Sequence, residues 1–352
     1  MARRFNEQPR RKPSQKDVAR LAGVSRTTVS YVLNGTDSNI SDQTQARVLA
    51  AAERLRYRPD GLARGLRRSR TDTFGFISDE IATTAAAGAM IQGAQDAAWK
   101  SGIVLLLVNT GRDREIEARA LDIMLERRVD ALIFATMRHQ VIDPAEQFWE
   151  VPTVLLDARD VDQSLPSVVP DEVGGARTAV QTLLKHGHQR IGFINTMERV
   201  PAATERLEGY RLALLNLGIA FDPSLVAYCP HGFPADGEEA ARRLLDLPQP
   251  PTAIFCFNDR IAMGAYRAIG KRGLRIPDDI SVIGFDNEDQ VGAWLEPGLT
   301  TMQLPHYEMG RWAVEYLMSS GAVPSETDRE PPQRRLPCPL VERMSVGPGG
   351  RP

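Results

Sequence analysis

The sequence predicts a mixed α/β protein: a small all-α module at the N-terminus, followed by two parallel α/β halves in tandem. Three observations predict it. First, Asp17-Val-Ala-Arg-Leu-Ala-Gly-Val-Ser-Arg-Thr-Thr-Val-Ser-Tyr-Val-Leu-Asn-Gly35 reads as two short helices broken at Gly23-Val24. Second, charge is divided unevenly: residues 1–70 hold 16 Lys and Arg against 6 Asp and Glu, and the other 282 hold 27 against 39. Third, from Thr73 onward short apolar runs alternate with helical stretches, and the pattern recurs about 117 residues later. Together these outline a basic helical head on an acidic α/β body.

Each element has its own justification. Residues 1–14 are polar and basic, with Arg3, Arg4, Arg10, Arg11 and Lys12, and are expected to form a disordered arm that adds non-specific attraction to phosphates. Residues 15–59 form the helix-turn-helix module. Val18, Ala19, Leu21 and Ala22 give the first helix its apolar face; Val29, Val32 and Leu33 give the second its own, at helical spacing. Ser25 is placed to cap the second helix and Gly35 to end it. A third helix is expected from Ser41 to about Arg56, covering the first two with Ala46, Leu49, Ala50, Glu53 and Leu55. Residues 60–71 form a short helix and linker. Gly61 and Gly65 each cost that helix about 1 kcal/mol against alanine, so it needs DNA and a partner chain to hold it.

The body spans residues 72–346. Thr73–Ser78, Ile103–Val108 and Ala131–Ala135 read as buried parallel strands. Gly75-Phe-Ile77 returns as Gly192-Phe-Ile194, Gly102-Ile103 as Gly218-Ile219, and Ala131-Leu-Ile-Phe134 as Thr252-Ala-Ile-Phe255. Two similar halves imply two lobes with a cleft between them, and ligands of open α/β sheets bind beyond the carboxyl ends of the strands. Residues 347–352, rich in Gly and Pro, are expected to fray.

Other classes of function find little support. Cys229, Cys256 and Cys338 are odd in number and widely spaced, which argues against a disulfide framework. No apolar run approaches a membrane span and the N-terminus carries no apolar signal core, so a cytoplasmic protein is expected. His186-Gly-His188 has the look of a metal pair but lacks a third ligand. There is no Gly-x-Ser-x-Gly elbow, phosphate loop or dinucleotide fingerprint, so neither an enzyme nor a cofactor is expected. A solute receptor for transport would need an export signal and no basic head.

With these motifs laid out, the chain resembles the LacI/GalR (lactose/galactose repressor) family of bacterial transcription regulators. The most specific marks are the Asp17–Asn34 segment and Tyr57-Arg-Pro59. To these add Gly187-His-Gln-Arg-Ile-Gly-Phe193, Asn258-Asp259, Pro277-Asp-Asp-Ile-Ser-Val-Ile-Gly-Phe-Asp286-Asn and Leu340-Val-Glu-Arg-Met-Ser-Val346. The resemblance implies a DNA-binding head, a hinge helix at 60–71 and a two-lobed effector domain like that of periplasmic binding proteins. It also implies a homodimer that reads near-palindromic operator DNA. The chain ends soon after Val346, without the heptad helix that makes some relatives tetrameric, so a dimer is the expected assembly.

By that resemblance Arg26, Thr27 and Tyr31 choose bases. Arg26 has two roles open to it, a bidentate contact to guanine or a phosphate contact. Ser25, Thr28, Asn34 and Tyr57 hold phosphates or brace the fold. Leu66 matches the hinge leucine wedged into the minor groove, with a contact between paired hinge helices as its other role. In the cleft, Asp157, Arg206, Phe233, Asn258 and Asp286 fall on effector-binding positions. Carboxylate, amide and guanidinium suit sugar hydroxyls, and Phe suits an apolar sugar face. Asp157 has a second role as a loop cap, and Asn258 as a brace before its helix. Ala135 and His306 depart from the groups that lactose-type relatives carry, which counts against lactose. The expected effector is a mono- or disaccharide controlling a repressor of carbohydrate-use genes, with a purine or a phosphorylated sugar as the alternatives.

Overall fold

The computed structural model describes residues 13–34, 40–57, 70–81, 88–288, 291–320 and 331–349. The chain divides into two compact units, Met1–Thr71 and Asp72–Pro352. Residues 60–69, with Leu66, lie outside the described residues, as do the arm up to residue 12 and Gly35.

The first unit packs three helices, α1 (Gln15–Ala22), α2 (Arg26–Asn34) and α3 (Asp42–Arg54). Ser14 and Asp17 lock the start of α1: the Ser14 hydroxyl donates to Asp17 Oδ2 at 2.6 Å and the Ser14 amide to the same oxygen at 2.9 Å. Gly23 ends α1 at φ +65°, a left-handed conformation that favours glycine. Val18, Ala19, Ala22, Val29, Val48, Ala51 and Ala52 form the core.

Two expectations need correction here. Leu21 is exposed. The covering face of α3 is Val48, Ala51, Ala52 and the half-buried Leu55, while Ala46, Leu49, Ala50 and Glu53 face solvent. Both stripes repeat at helical spacing. The stripe carrying β-branched Val48 fills the gap between α1 and α2, and alanine-rich sequence hid the choice.

The second unit contains two six-stranded sheets with the same winding. Its strands are β1 (Thr73–Ser78), β2 (Val104–Asn109), β3 (Ala131–Ile142), β4 (Thr153–Asp160), β5 (Ser167–Pro170), β6 (Ile191–Thr196), β7 (Val226–Cys229), β8 (Ala253–Cys256), β9 (Ser281–Asp286), β10 (Thr300–Gln303), β11 (Gln333–Leu336) and β12 (Leu340–Val341). Lobe 1 runs β2-β1-β3-β4-β5-β11 and lobe 2 runs β7-β6-β8-β9-β10-β12. The pairs are parallel except β10–β12. β3 runs seven residues further than the sequence suggests, with a register irregularity between Ala135 and Gln140; polar Thr136, Arg138, His139 and Gln140 hid that extension.

Helices cover both faces of each sheet, as parallel strands require. In lobe 1, α4 (Gly88–Lys100) and the later α10 (His306–Ser320) pack on Phe74, Phe76 and Ile133, and α5 (Arg114–Glu126) packs on Ile77, Leu132 and Phe134. In lobe 2, α6 (Glu172–Lys185) and α7 (Pro201–Leu215) pack on Phe193, Phe255 and Phe285. On its other face, α8 (Pro234–Leu245) and α9 (Asp259–Lys271) pack on Ile194, Ile254 and Val282. Both lobes bring helices into backbone contact through glycine pairs, Gly93 with Gly310 and Gly237 with Gly264; a methyl at any of these would overlap the facing backbone.

The lobes are not simply the two sequence halves. The chain passes from β5 to α6, returns after β10 so that α10 and β11 join lobe 1, and crosses again into β12. Three crossings tie the lobes together. The tail also differs from expectation up to its described end: the Gly347 amide donates to Ser281 Oγ at 3.0 Å and the Gly349 amide to the His186 carbonyl at 2.7 Å. His188 anchors this seam, with Nε2 within 3.0 Å of Ser281 Oγ and 3.1 Å of the Gly347 carbonyl. Its burial and these contacts give it a structural role.

Candidate functional site

In the head, the second helix is shaped for exposure on one side only. Ser25 Oγ accepts from the Thr28 amide at 3.0 Å and lies 2.8 Å from Thr28 Oγ1, so these two hydroxyls are spent on capping. Arg26, Thr27 and Tyr31 are exposed within an arc of about 140° on the helix. Val29, Val32 and Leu33 lie opposite and pack into the core. Tyr57 is half-buried on the same core, with its amide bonded to the Ala52 carbonyl at 2.8 Å. Asn34 closes α2; its side chain lies outside the description.

In the body, a cleft of about 620 Å³ opens between the lobes at the carboxyl ends of their strands. Asp157, Arg206, Phe233, Asn258 and Asp286 all line it, as does His306. Ala135 is buried in the sheet and does not.

Asp157 lies within β4 and Asp286 ends β9, strands that hold the same place in their two lobes. Both are held at positive φ, +54° and +103°, conformations that non-glycine residues adopt rarely and mostly at functional positions. Thr136 braces the first by donating its hydroxyl to the Asp157 carbonyl at 2.6 Å. Burial, with Glu172 nearby, pushes the Asp157 carboxyl well above the usual carboxylate range. Desolvation pushes Asp286 up to about 7, with Arg206 opposing and Glu172 and Glu288 reinforcing.

Arg206, from α7, is the hub. It is 3% exposed and donates from Nε to Glu172 Oε2 at 2.7 Å and from Nη2 to Glu172 Oε1 at 3.3 Å. It also donates to the Phe257 carbonyl and, at 3.4 Å, to Asp286. Its guanidinium lies 3.7 Å from the centre of the Phe285 ring and 4.5 Å from that of Phe257. The fork thus fixes one acid and stands beside another.

Asn258 does brace its turn: its carbonyl oxygen accepts from the Ile261 amide at 2.8 Å and its amide donates to the Gly232 carbonyl at 3.3 Å. Phe233 stands just before α8, 54% exposed into the cleft, available to an apolar ligand face.

Sequence reasoning missed Glu172, His139 and two further ion pairs at the cleft. Arg260 holds Glu288 at 2.7 and 2.9 Å, and Arg138 of lobe 1 pairs with Glu198 of lobe 2. Glu172 occupies the first turn of α6, where an acid is ordinary, so nothing in the sequence marks it. His139 is 2% exposed, and neither ring nitrogen has a partner among the described residues; Asp157 Oδ1 has none either. Each buried polar group left so costs about 1–3 kcal/mol. Burial, with Arg159, Arg335 and Arg206 nearby, pushes His139 down to about 3, so its imidazole is neutral near pH 7.

The raised carboxyl of Asp286 sets a pH dependence. The folded state holds a proton that the unfolded chain releases near pH 3.8, so this contribution to stability is present at low pH and lost as pH rises to about 7. The ligand-free Asp286→Asn variant is therefore expected to show a flatter fall in melting temperature between pH 5 and 8 than the parent; scanning calorimetry across that range checks it.

Comparison with known proteins agrees with this geometry. Residues 77–343 match the family model for periplasmic binding proteins and the sugar binding domain of the LacI family, and residues 14–60 match that for bacterial regulatory proteins of the lacI family. The chain is 33% identical to the HTH-type transcriptional repressor PurR of Aliivibrio salmonicida, over 86% of this chain and 90% of the relative. A solved complex of the transcriptional regulator CelR with cellobiose aligns with TM-score 0.65 at 30% identity, covering 95% of this chain and 99% of that one. The lac repressor dimer bound to operator and an anti-inducer aligns with TM-score 0.77 at 26% identity, covering 96% and 100%.

Proposed function

The chain belongs to the LacI family of bacterial regulatory proteins, and from that premise we propose a repressor whose hold on operator DNA is set by a small molecule bound between its lobes. The observation that carries this reading is the presence on one chain of an outward-facing second helix and a cleft lined by unpaired polar groups. The α2 helix enters the major groove, with Arg26, Thr27 and Tyr31 toward base edges. The surrounding basic residues draw the head to phosphates, and Ser25, Thr28, Asn34 and Tyr57 steady it. Leu66 supplies the minor-groove wedge from the hinge segment 60–71.

The effector is a mono- or disaccharide. Asp157 and Asp286 accept from hydroxyls, Arg206 donates, Phe233 covers an apolar face, and Asn258 shapes the rim. Control follows from linkage: a ligand that prefers one lobe arrangement shifts the population toward it, and operator affinity shifts by the same coupling. Either sign of control follows, according to which arrangement the ligand prefers.

The protein works as a homodimer on near-palindromic DNA, each head taking one half-site. Edge strand β2 and the helices beside it carry exposed Val104, Leu107, Trp99, Ile116 and Ile123, an apolar margin that a second copy of this chain would cover. No helix among the described residues is long and apolar enough to cross a membrane, and a DNA regulator of this kind acts in the cytoplasm.

Operator binding tests the reading. Arg26→Ala is expected to cost about 1–3 kcal/mol of discrimination at a single base pair per half-site, measured by anisotropy against operators mutated one position at a time. A uniform loss across all sequences would instead assign Arg26 to a phosphate.

A further inference from the structure

The lobe-1 floor of the cleft contains a pair of side chains whose chemistry points outward from the protein. His139 comes from β3 and Asp157 from β4, and the residues that follow them, Gln140 and Ala158, are paired partners in the sheet. Asp157 therefore sits opposite the irregular stretch of β3 that holds His139, and both side chains line the cleft. Each is 2% exposed. Neither nitrogen of His139, and not Oδ1 of Asp157, finds a hydrogen-bond partner among the described residues. A neutral imidazole always offers one donor and one acceptor, and buried polar groups are normally satisfied.

The charges around the pair define what can satisfy it. Three arginines and five carboxylic acids line the cleft. Every one of those arginines is already held by a glutamate: Arg206 by Glu172, Arg260 by Glu288 and Arg138 by Glu198. Asp286 shares Arg206 with Glu172, at 3.4 Å, and Asp157 has no ion-pair partner among the described residues. Residues 82–87 and 289–290, which flank lining segments in sequence, carry no Lys or Arg. No uncommitted cation among the lining residues is available to receive a phosphate or carboxylate.

We infer that His139 is a direct effector contact, forming with Asp157 a donor–acceptor pair that grips adjacent hydroxyls of an uncharged ligand and turns away phosphorylated ones. This rests on the reading of the cleft as an effector site. Hydroxyls match the pair because each can donate to Asp157 or to one imidazole nitrogen while accepting from the other. An anion would meet five carboxyls and no arginine that is free of a glutamate.

The test uses the full-length protein, thermal melts and titration calorimetry, with D-ribose, D-glucose and cellobiose as probes beside ribose 5-phosphate and glucose 6-phosphate. Without ligand, His139→Leu is expected to melt at or above the parent temperature, because the substitution removes two unpaired polar atoms and keeps the volume filled. It is also expected to weaken binding of whichever free sugar stabilises the parent by about tenfold, with His139→Gln falling between the two. A ligand-free His139→Leu protein that melts several degrees lower, or that binds the sugar as the parent does, overturns the assignment. So does a phosphorylated sugar that binds as tightly as its parent sugar. If no free sugar shifts the parent while ligand-free His139→Leu melts at or above it, the sugar reading fails and the assignment of His139 as a ligand contact survives.

Discussion

Arg206→Ala is expected to lower the melting temperature of the two-lobed unit by on the order of 10 °C and to abolish effector binding. The reason is what it leaves behind. Glu172 is 2% exposed and takes two of its hydrogen bonds from this one guanidinium. Removing one partner of a buried pair costs about 3–5 kcal/mol, because the other charge stays buried and uncompensated. In a domain of this size each kcal/mol moves the midpoint by about 2–4 °C. The loss of the two ring contacts to Phe257 and Phe285 adds to the damage. Lysine does not rescue, since a point charge cannot reach Glu172, Asp286 and the Phe257 carbonyl with one planar fork. The double variant Arg206→Met with Glu172→Gln separates the two effects. It is expected to recover much of the melting temperature, because no unpaired charge is buried, and to recover no ligand binding. Calorimetric melts with and without a stabilising sugar read both outcomes.

Charging the apolar margin of lobe 1 is expected to have the larger effect on DNA. In Val104→Asp with Leu107→Asp the two new carboxyls lie on exposed positions of an edge strand, so the fold of the monomer is spared. A second copy pairing there would bury four like charges. The dimer is expected to dissociate, and each head then meets its half-site alone. Coupling two binding modules raises overall affinity by roughly 100- to 10,000-fold, so operator affinity should fall by that order while non-specific attraction per head changes little. Analytical ultracentrifugation and operator titration on the same sample check the two parts together. A variant that stays dimeric, or a monomer that keeps full operator affinity, would place the interface elsewhere.

Much of this architecture was legible before any coordinates. Repeats such as Gly75-Phe-Ile77 and Gly192-Phe-Ile194 mark equivalent strands β1 and β6, each buried on both faces as covered parallel sheets demand. Capping chemistry was equally plain at Ser25. The exchange of α10 and β11 into lobe 1 was not, because crossings between lobes use short connections with no periodicity of their own. Nor was the covering face of α3: Ala46, Leu49 and Ala50 make as regular a stripe as Val48, Ala51 and Ala52, and only packing against α1 decides between them.

The cleft shows the same division. The five effector positions taken from the family resemblance all line it, yet what completes their chemistry was hidden. Asp157 and Asp286 sit on equivalent strands, β4 and β9, a symmetry that their dissimilar neighbours, Ala158 and Asn287, conceal. Glu172 looked like a routine first-turn acid. His139 stood in a largely polar stretch that gave no sign of continuing the strand. Burial and partnership are properties of the folded chain, and local sequence reports them only where periodicity or a motif does so.

If occupancy of the cleft sets the hold on DNA, operator affinity with and without ligand reports it at once. Full-length protein is titrated against a near-palindromic fragment from its own upstream region, alone and with a saturating sugar that raises its melting temperature. A shift of at least fivefold in operator affinity is expected, in the range typical of coupled sites. The shift should vanish in Asp286→Ala, whose operator affinity without ligand stays near that of the parent. Equal affinity with and without a ligand that demonstrably binds would contradict it.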